Sequence, residues 1–223
     1  MYNLDKASND IAIKLKNELN LDNDNYEIVK YGLYAFFHMI LSIIIIGIFG
    51  AIFGVFLESL IISFAVAILR KSSGGVHAST ELNCIIVGVM ISVIPSLILV
   101  NIEVNVINTV IFCALAFSIV TLLIYKLAPV DTPNKPIKSQ KKIKRLRRVS
   151  FITLGIYTIL VFVSLYLGIK MESQNLLKYS LCISFGSLWQ GLTLTKLGNI
   201  VLNIMDSLLI NILKMGGKLE WKS

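Results

Sequence analysis

Two long runs of the sequence contain no charged residue at all. MILSIIIIGIFGAIFGVF covers residues 39–56, and VINTVIFCALAFSIVTLLIY covers residues 106–125. A helix needs about 20 consecutive apolar residues to cross the ~30 Å hydrocarbon core of a bilayer. The whole chain is 56% apolar and only 15% charged, which is more apolar surface than a soluble protein of this length can bury. The sequence therefore predicts an all-α, polytopic membrane helix bundle.

The number of spans follows from the lengths of the apolar segments. Four segments are single spans, at roughly 85–100, 106–127, 149–169 and 176–195. A fifth, 32–69, would measure about 57 Å as one helix, nearly twice the thickness of the hydrocarbon core. A break near Gly50, Gly54 and Glu58 divides it into two spans, so about six transmembrane helices are predicted. The second of these, about 58–69, is short and is either a full span or re-entrant.

Basic residues indicate which side of the membrane each loop faces. The segment 135–148 contains no acidic residue and eight basic ones: Lys135, Lys138, Lys141, Lys142, Lys144, Arg145, Arg147 and Arg148. Such an excess is typical of a cytoplasmic loop. Counting spans from this loop predicts that residues 70–84 and both termini are also cytoplasmic. The net charge of +8 is thus explained by topology in a multi-pass cell membrane protein, and no nucleic acid partner is expected.

Composition divides the chain into three segments. Residues 1–30 are polar, residues 31–196 hold the spans, and residues 197–223 follow the last span. Apolar residues recur at helical spacing in both terminal segments, at Ala7, Ile11, Leu15 and Leu19, and at Leu197, Ile200, Val201, Ile204, Leu208 and Ile212. The second stripe lies opposite Asn199, Asn203, Asp206 and Asn211. Both ends are predicted to form amphipathic helices that lie along the inner membrane face or pack on a partner.

The stretch RKSSGGVHASTELNC, residues 70–84, is polar and lies between apolar segments. Cys84 begins a span directly after Ser79 and Thr80, either of which can cap a helix. A thiol in the first turns of a helix is a better nucleophile because the amide dipoles favour its thiolate. His77 is the nearby residue whose imidazole can accept the thiol proton near neutral pH. This combination makes Cys84 and His77 candidate catalytic residues.

Spacing limits how His77 and Cys84 can act together. On one continuous helix they would lie about 10.5 Å apart along the axis, whereas a nucleophile and its base need ~2.6–3.2 Å. The backbone must therefore break between them or just before His77, and Gly74 and Gly75 provide the freedom to turn there. The alternative is that His77 is a surface residue of an inter-span loop and Cys84 packs at a span end. Composition and spacing leave both interpretations open.

Three other classes of protein compete with a thiol enzyme. A metalloprotease needs a cluster such as His-Glu-x-x-His, which the chain lacks. The remaining cysteines, Cys113 and Cys182, lie within apolar runs, as expected for core residues. A serine protease using Ser72 or Ser73 lacks the G-x-S-x-G elbow. A small non-enzymatic transporter or channel is the main alternative, although the spans hold almost no charged residues that would favour transport. No metal or cofactor is expected.

The spacing of four residues resembles a known signature. Arg70, Gly75, His77 and Cys84 follow the Arg-x4-Gly-x-His-x6-Cys order of the AgrB membrane peptidases of Gram-positive quorum sensing. APVDTPNKP, residues 128–136, is similar to that family's Ala-Pro-x-Asp-Thr segment ahead of Lys-Pro and puts Asp131 at a family position. The likeness extends from the first span through the last.

The resemblance implies a membrane cysteine endopeptidase that processes a short precursor peptide, AgrD. Cys84 would attack the scissile carbonyl while His77 accepts the thiol proton, so that the acidic C-terminal tail leaves and an acyl-thioester remains. An internal Cys or Ser of the peptide would then close a thiolactone or lactone ring. The resemblance also suggests a homodimer.

Supporting roles remain open at this point. Arg70 either binds substrate carboxylates, fixes the loop or anchors the span end at the membrane. Asp131 is a candidate for orienting His77, and Gly75 for bringing the backbone close to substrate. The basic segment 135–148 either holds the acidic tail of the peptide or interacts with anionic lipid head groups.

Overall fold

The computed structural model describes residues 2–76, 78–130 and 139–215, with the side chains of residues 2, 3 and 212–215 left out. This part of the chain forms eight α-helices: α1 (Tyr2–Leu19), α2 (Asn23–Ile52), α3 (Phe56–Ser73), α4 (Glu81–Val100), α5 (Val106–Leu127), α6 (Gln140–Lys170), α7 (Gln174–Leu192) and α8 (Lys196–Met215). A single parallel β-bridge, between Gly74 and Val130, is the one β pairing within the described residues. The predicted all-α fold is confirmed.

The chain divides into two compact units, residues 1–45 and residues 46–223. In the first unit, the Tyr26 hydroxyl donates a hydrogen bond to Asn9 Oδ1 (2.7 Å), which joins α1 to the start of α2. The rest of α2 and helices α3 to α8 belong to the second unit. The division into three segments made from composition stays a prediction.

The predicted break between the first two spans is confirmed. α2 ends at Ile52 and α3 begins at Phe56. Gly54 has φ +71° in the connecting turn, a conformation that glycine adopts without steric cost. A Cβ atom at Gly50 would overlap Ser59 Oγ, so this glycine lets the two helices approach closely at the turn.

Four helices in the described part are long and apolar enough to cross a membrane: α2, α4, α5 and α6. α7 and α8 meet at a 95° bend and provide a fifth candidate if the pair is a single broken span. α3 is not among the candidates, and its 18 residues include Glu58, Arg70 and Lys71. The other two of the six predicted spans correspond to α3 and α7. By length and composition alone, the described helices support four or five spans.

The basic segment after α5 differs from the prediction. Residues 140–148 were expected in a loop, but they form the first turns of α6, whose 31 residues extend about 46 Å. Lysine, arginine and glutamine are good helix formers, so nothing in this segment ends a helix. Because the hydrocarbon core is only ~30 Å thick, the apolar part of α6 can span it while the basic turns extend beyond it.

Small residues let the helices of the second unit pack closely. α7 packs against α3, α5 and α6. A Cβ atom at Gly186 would lie 2.8 Å from Ala65 Cβ, so α7 and α3 touch through small residues, as membrane helices commonly do. Cys113 and Cys182 are 3% and 0% exposed, which confirms that both are core residues.

Candidate active site

Cys84 lies in the first turns of α4, where the sequence predicted it. Thr80 caps this helix by accepting a hydrogen bond from the Asn83 backbone N–H at its side-chain oxygen (3.2 Å), which confirms one of the two predicted caps. Cys84 N–H donates to the Thr80 carbonyl (2.9 Å). Of the three cysteines, Cys84 alone is half-buried, and the other two are buried. Its thiol therefore combines partial access with the positive end of a helix dipole.

Two glycines turn the chain between α3 and α4. Gly74 and Gly75 have φ +70° and +125°, so both adopt a conformation that other residues rarely adopt. A Cβ atom at Gly74 would overlap the Val130 carbonyl, and one at Gly75 would lie 2.6 Å from Thr193 Oγ1. Residues 74–76 and 78–80 lie outside any helix. The predicted break in the backbone before Cys84 is therefore confirmed.

Backbone hydrogen bonds hold this glycine turn between two other parts of the bundle. Val130 N–H donates to the Ser73 carbonyl (2.9 Å), and Gly75 N–H donates to the Val130 carbonyl (3.3 Å). Val76 N–H donates to the Thr193 carbonyl at the end of α7 (3.1 Å). The turn is thus fixed by the chain that follows α5 on one side and by the end of α7 on the other.

Gln190 supports the turn from inside the bundle and was missed by the sequence analysis. Its side chain is 0% exposed, and its Nε2 donates to the Gly74 carbonyl (2.7 Å) and to Ser73 Oγ (3.0 Å). Within the described residues its Oε1 is buried without a hydrogen-bond partner. The sequence feature that could have identified Gln190 is its position as an amide inside an apolar span. A polar group in that environment is costly unless it is hydrogen-bonded.

Arg70 holds the loop after the glycines. Its Nη2 donates to the Val76 carbonyl, which supports the loop-fixing interpretation of this residue. Burial of the Cys84 thiol disfavours its thiolate, and the positive charge of Arg70, which interacts electrostatically with Cys84, opposes that effect. Nε of Arg70 is buried without a hydrogen-bond partner in the described part of the chain.

Asp206 of α8 contacts the segment that leads to Cys84. Its Oδ2 accepts from the Ser79 backbone N–H (2.7 Å), and its Oδ1 accepts from Asn83 Nδ2 (3.1 Å). Asp206 is only 6% exposed, although the sequence grouped it with the polar face of an amphipathic helix. The apolar stripe of that helix is the exposed side, with more than half of each side chain exposed at Leu197, Ile200, Ile204 and Leu208.

Three of the five predicted site residues lie in the described part of the chain. Arg70 contacts the residue after Gly75 and interacts with Cys84, so these three lie together at one end of the bundle. His77 and Asp131 lie outside the described residues.

Comparison with known proteins gives a consistent result. A model of the family described as accessory gene regulator B, AgrB, matches residues 8–194. The chain is 37% identical over 207 residues to AgrB-like protein 2 of Clostridium perfringens strain 13, covering 92% of this chain and 97% of that protein. It is 25% identical over 131 residues to an AgrB-like protein of Listeria innocua, covering 59% and 62%. No solved structure matches the chain.

Proposed function

Because the chain belongs to the AgrB family, we propose that it is a membrane-embedded cysteine endopeptidase and peptide cyclase with Cys84 as its nucleophile. Family membership involves the chain in the agr quorum-sensing system, at the membrane and in association with the AgrD precursor. The observation that carries the proposal is the position of Cys84: half-buried, in the first turns of α4 and within the electrostatic influence of Arg70.

In the first proposed step, Cys84 Sγ attacks the carbonyl carbon of the scissile peptide bond. The thiol proton passes to the His77 imidazole, which then delivers it to the departing amine of the acidic tail. One C–N bond is broken, one C–S bond is formed, and the remainder of the peptide is held as an acyl-thioester. Burial disfavours the thiolate that starts this step, and the helix dipole and Arg70 both oppose that effect.

In the second proposed step, an internal Cys or Ser of the bound peptide attacks the same carbonyl carbon and releases Cys84. Exchange between two thioesters is nearly balanced in free energy, so ring closure depends on orientation and on exclusion of water. Partial burial of Cys84 and the tightly held glycine turn support such control. Asp131 is proposed to orient His77. The bridge between Gly74 and Val130 supports this pairing, because in the sequence it lies three residues before His77 and one residue before Asp131.

The basic start of α6 is a candidate site for the acidic tail of the precursor. A groove of about 660 Å³ runs along it, and its lining includes Lys144, Arg147 and Arg148. Arg147 also has a structural role, since its Nε donates to the Ala128 carbonyl (2.7 Å). Anionic lipid head groups would fit the same charges. We further propose that the catalytic loop and both termini are cytoplasmic and that the enzyme is a homodimer.

The proposal is tested by reconstituting the protein in liposomes with a synthetic AgrD-type precursor and measuring release of the tail. Cys84→Ala should abolish release, whereas Cys113→Ala and Cys182→Ala should retain it. All three proteins must insert and purify alike for the comparison to be valid. Tail release by Cys84→Ala at the wild-type rate would rule out Cys84 as the nucleophile.

A further inference from the structure

The carboxylate of Asp206 has both of its oxygens occupied by donors of the chain itself. The Ser79 N–H lies one residue before the Thr80 cap, and the Asn83 side chain lies one residue before Cys84. Asp206 therefore joins α8 both to the residue before the Thr80 cap and to the first turn of α4. Because residues 79 and 83 precede residue 206 by 127 and 123 positions, only the tertiary fold creates this contact.

A buried carboxylate is stable at this location for two physical reasons. It accepts hydrogen bonds at both oxygens, which offsets its loss of hydration. It also lies at the N-terminal end of α4, where the helix dipole favours negative charge. Against these gains, its charge disfavours the thiolate of Cys84, with which it interacts electrostatically. A negative charge that opposes the nucleophile is expected only if the carboxylate serves another purpose at the same place.

The arrangement observed favours a structural role for Asp206 over proton transfer or substrate binding. Both oxygens already accept hydrogen bonds, and the side chain is only 6% exposed. Asn83 is 1% exposed, so its hydrogen bond with Asp206 is buried, while the hydrogen bond from the Ser79 N–H is only partly buried. The contact joins α8 to the first turn of α4, in which Asn83 is directly followed by Cys84.

We propose that Asp206 is a positioning residue for Cys84, so that the C-terminal helix α8 is part of the catalytic assembly. This inference rests on the proposed function, because the geometry that Asp206 maintains matters only if Cys84 reacts. A displacement of about 1 Å at a reacting group is enough to reduce a rate ~10²-fold. Loss of the contact should therefore lower the rate of acyl transfer far more than it lowers precursor binding.

A reciprocal exchange of the two side chains tests the contact directly. Asp206→Asn presents an NH2 group to one of two donors, and Asn83→Asp brings two carboxylates together. In the double variant Asn83→Asp with Asp206→Asn, the new amide oxygen on α8 can accept from Ser79 N–H while its NH2 group donates to the new carboxylate on α4. Each single variant should lose ~10²-fold in single-turnover tail release, with a nearly unchanged Kd for the precursor. The double variant should recover to within about tenfold of wild type.

A second measurement does not depend on the peptide. The rate at which iodoacetamide alkylates Cys84 near neutral pH is measured with Cys113 and Cys182 replaced by Ala. Iodoacetamide should alkylate Cys84 faster in Asp206→Asn than in wild type, because the variant removes an opposing charge and loosens the turn. The same variant should process the precursor more slowly. Asn203→Ala, an exposed polar position on the same helix, is the matched control and should change neither rate.

The outcomes separate this inference from the proposed function. If wild type releases the tail through Cys84 and Asp206→Asn does so at the same rate, the function stands and the inference is wrong. If wild type releases no tail, the proposed function is wrong, and the alkylation comparison still decides the contact. Equal alkylation rates in wild type and Asp206→Asn, or single variants that the exchange does not rescue, would overturn the positioning role.

Discussion

Gln190 Nε2 donates a hydrogen bond to the Gly74 carbonyl across 2.7 Å, joining the end of α7 to the glycine turn that precedes Cys84. The same nitrogen also bonds Ser73 Oγ at the end of α3. A fully buried amide thus fixes two adjacent residues of the turn. Removing it would leave the Gly74 carbonyl with only a long hydrogen bond from Ser73 Oγ (3.4 Å) among the described residues.

The first prediction concerns this amide. Gln190→Leu should lower the thermal unfolding midpoint in detergent, since each buried group left unsatisfied costs about 1–3 kcal/mol. It should also slow tail release, because the turn loses its support. Gln174→Leu is the matched control: that amide bonds Val104 N–H (3.0 Å) and the Val104 carbonyl in another loop. The control should lose stability yet keep the specific activity of the folded protein, and equal activity in both variants would contradict a role for Gln190 at the site.

The second prediction concerns Gly75. Gly75→Ala should reduce tail release by ~10²-fold, because its Cβ would lie 2.6 Å from Thr193 Oγ1 and its φ of +125° is unfavourable for alanine. Adding Thr193→Ala should relieve the contact but not the backbone strain, so activity should recover only in part. Gly155→Ala is the control, since nothing lies within 4 Å of a Cβ at that position in the described structure. Full activity in Gly75→Ala would show that the turn tolerates a different geometry.

The third prediction uses the charge of Arg70. Arg70→Gln removes the cation that favours the Cys84 thiolate, so iodoacetamide should alkylate Cys84 more slowly near neutral pH. The direction is opposite to that expected for Asp206→Asn. Arg70→Lys keeps the charge and should alkylate at a rate closer to wild type, although it should still process the precursor slowly, since a lysine cannot reproduce the guanidinium bond to Val76. Faster alkylation in Arg70→Gln would contradict the electrostatic role.

The fourth prediction concerns sidedness. Single cysteines introduced at Lys71 and Ser139 in a Cys-free background should resist a membrane-impermeant maleimide until the cells are lysed. Both positions are exposed, whereas Ser73 is fully buried and would fail to label for a different reason. A cysteine at Glu172, exposed after α6, should label in intact cells and serves as the control. Labelling of residue 71 or 139 in intact cells would contradict a cytoplasmic catalytic loop.

Local signals explain what could be predicted from the sequence. Gly54 marked the break between α2 and α3, Thr80 marked the start of α4, and Gly74 with Gly75 marked the turn before Cys84. Each of these depends on backbone geometry within a few residues. The start of α6 was predicted wrongly because charge identified a loop, while the backbone preferences of the same residues favour a helix.

Contacts between distant segments explain what could not be predicted. Gln190 meets Gly74 across 116 positions, and Asp206 meets Ser79 across 127. Helical periodicity assigned Asp206 to a polar face, but periodicity does not tell which face packs on the protein and which remains exposed. In α8 the exposed face is the apolar one, as expected for a helix that contacts lipid.

The most direct test of the central claim is to trap the acyl-thioester on Cys84. A precursor whose ring-closing Cys or Ser is replaced by Ala can be cleaved but cannot cyclise, so the thioester should accumulate. After acid quenching, intact mass spectrometry should show wild-type protein heavier by the acyl part of the precursor, with the adduct on Cys84 and removable by hydroxylamine. Cys113→Ala and Cys182→Ala should form the same adduct, and Cys84→Ala should form none. Release of the tail without any adduct on Cys84, or with an adduct elsewhere, would contradict the mechanism.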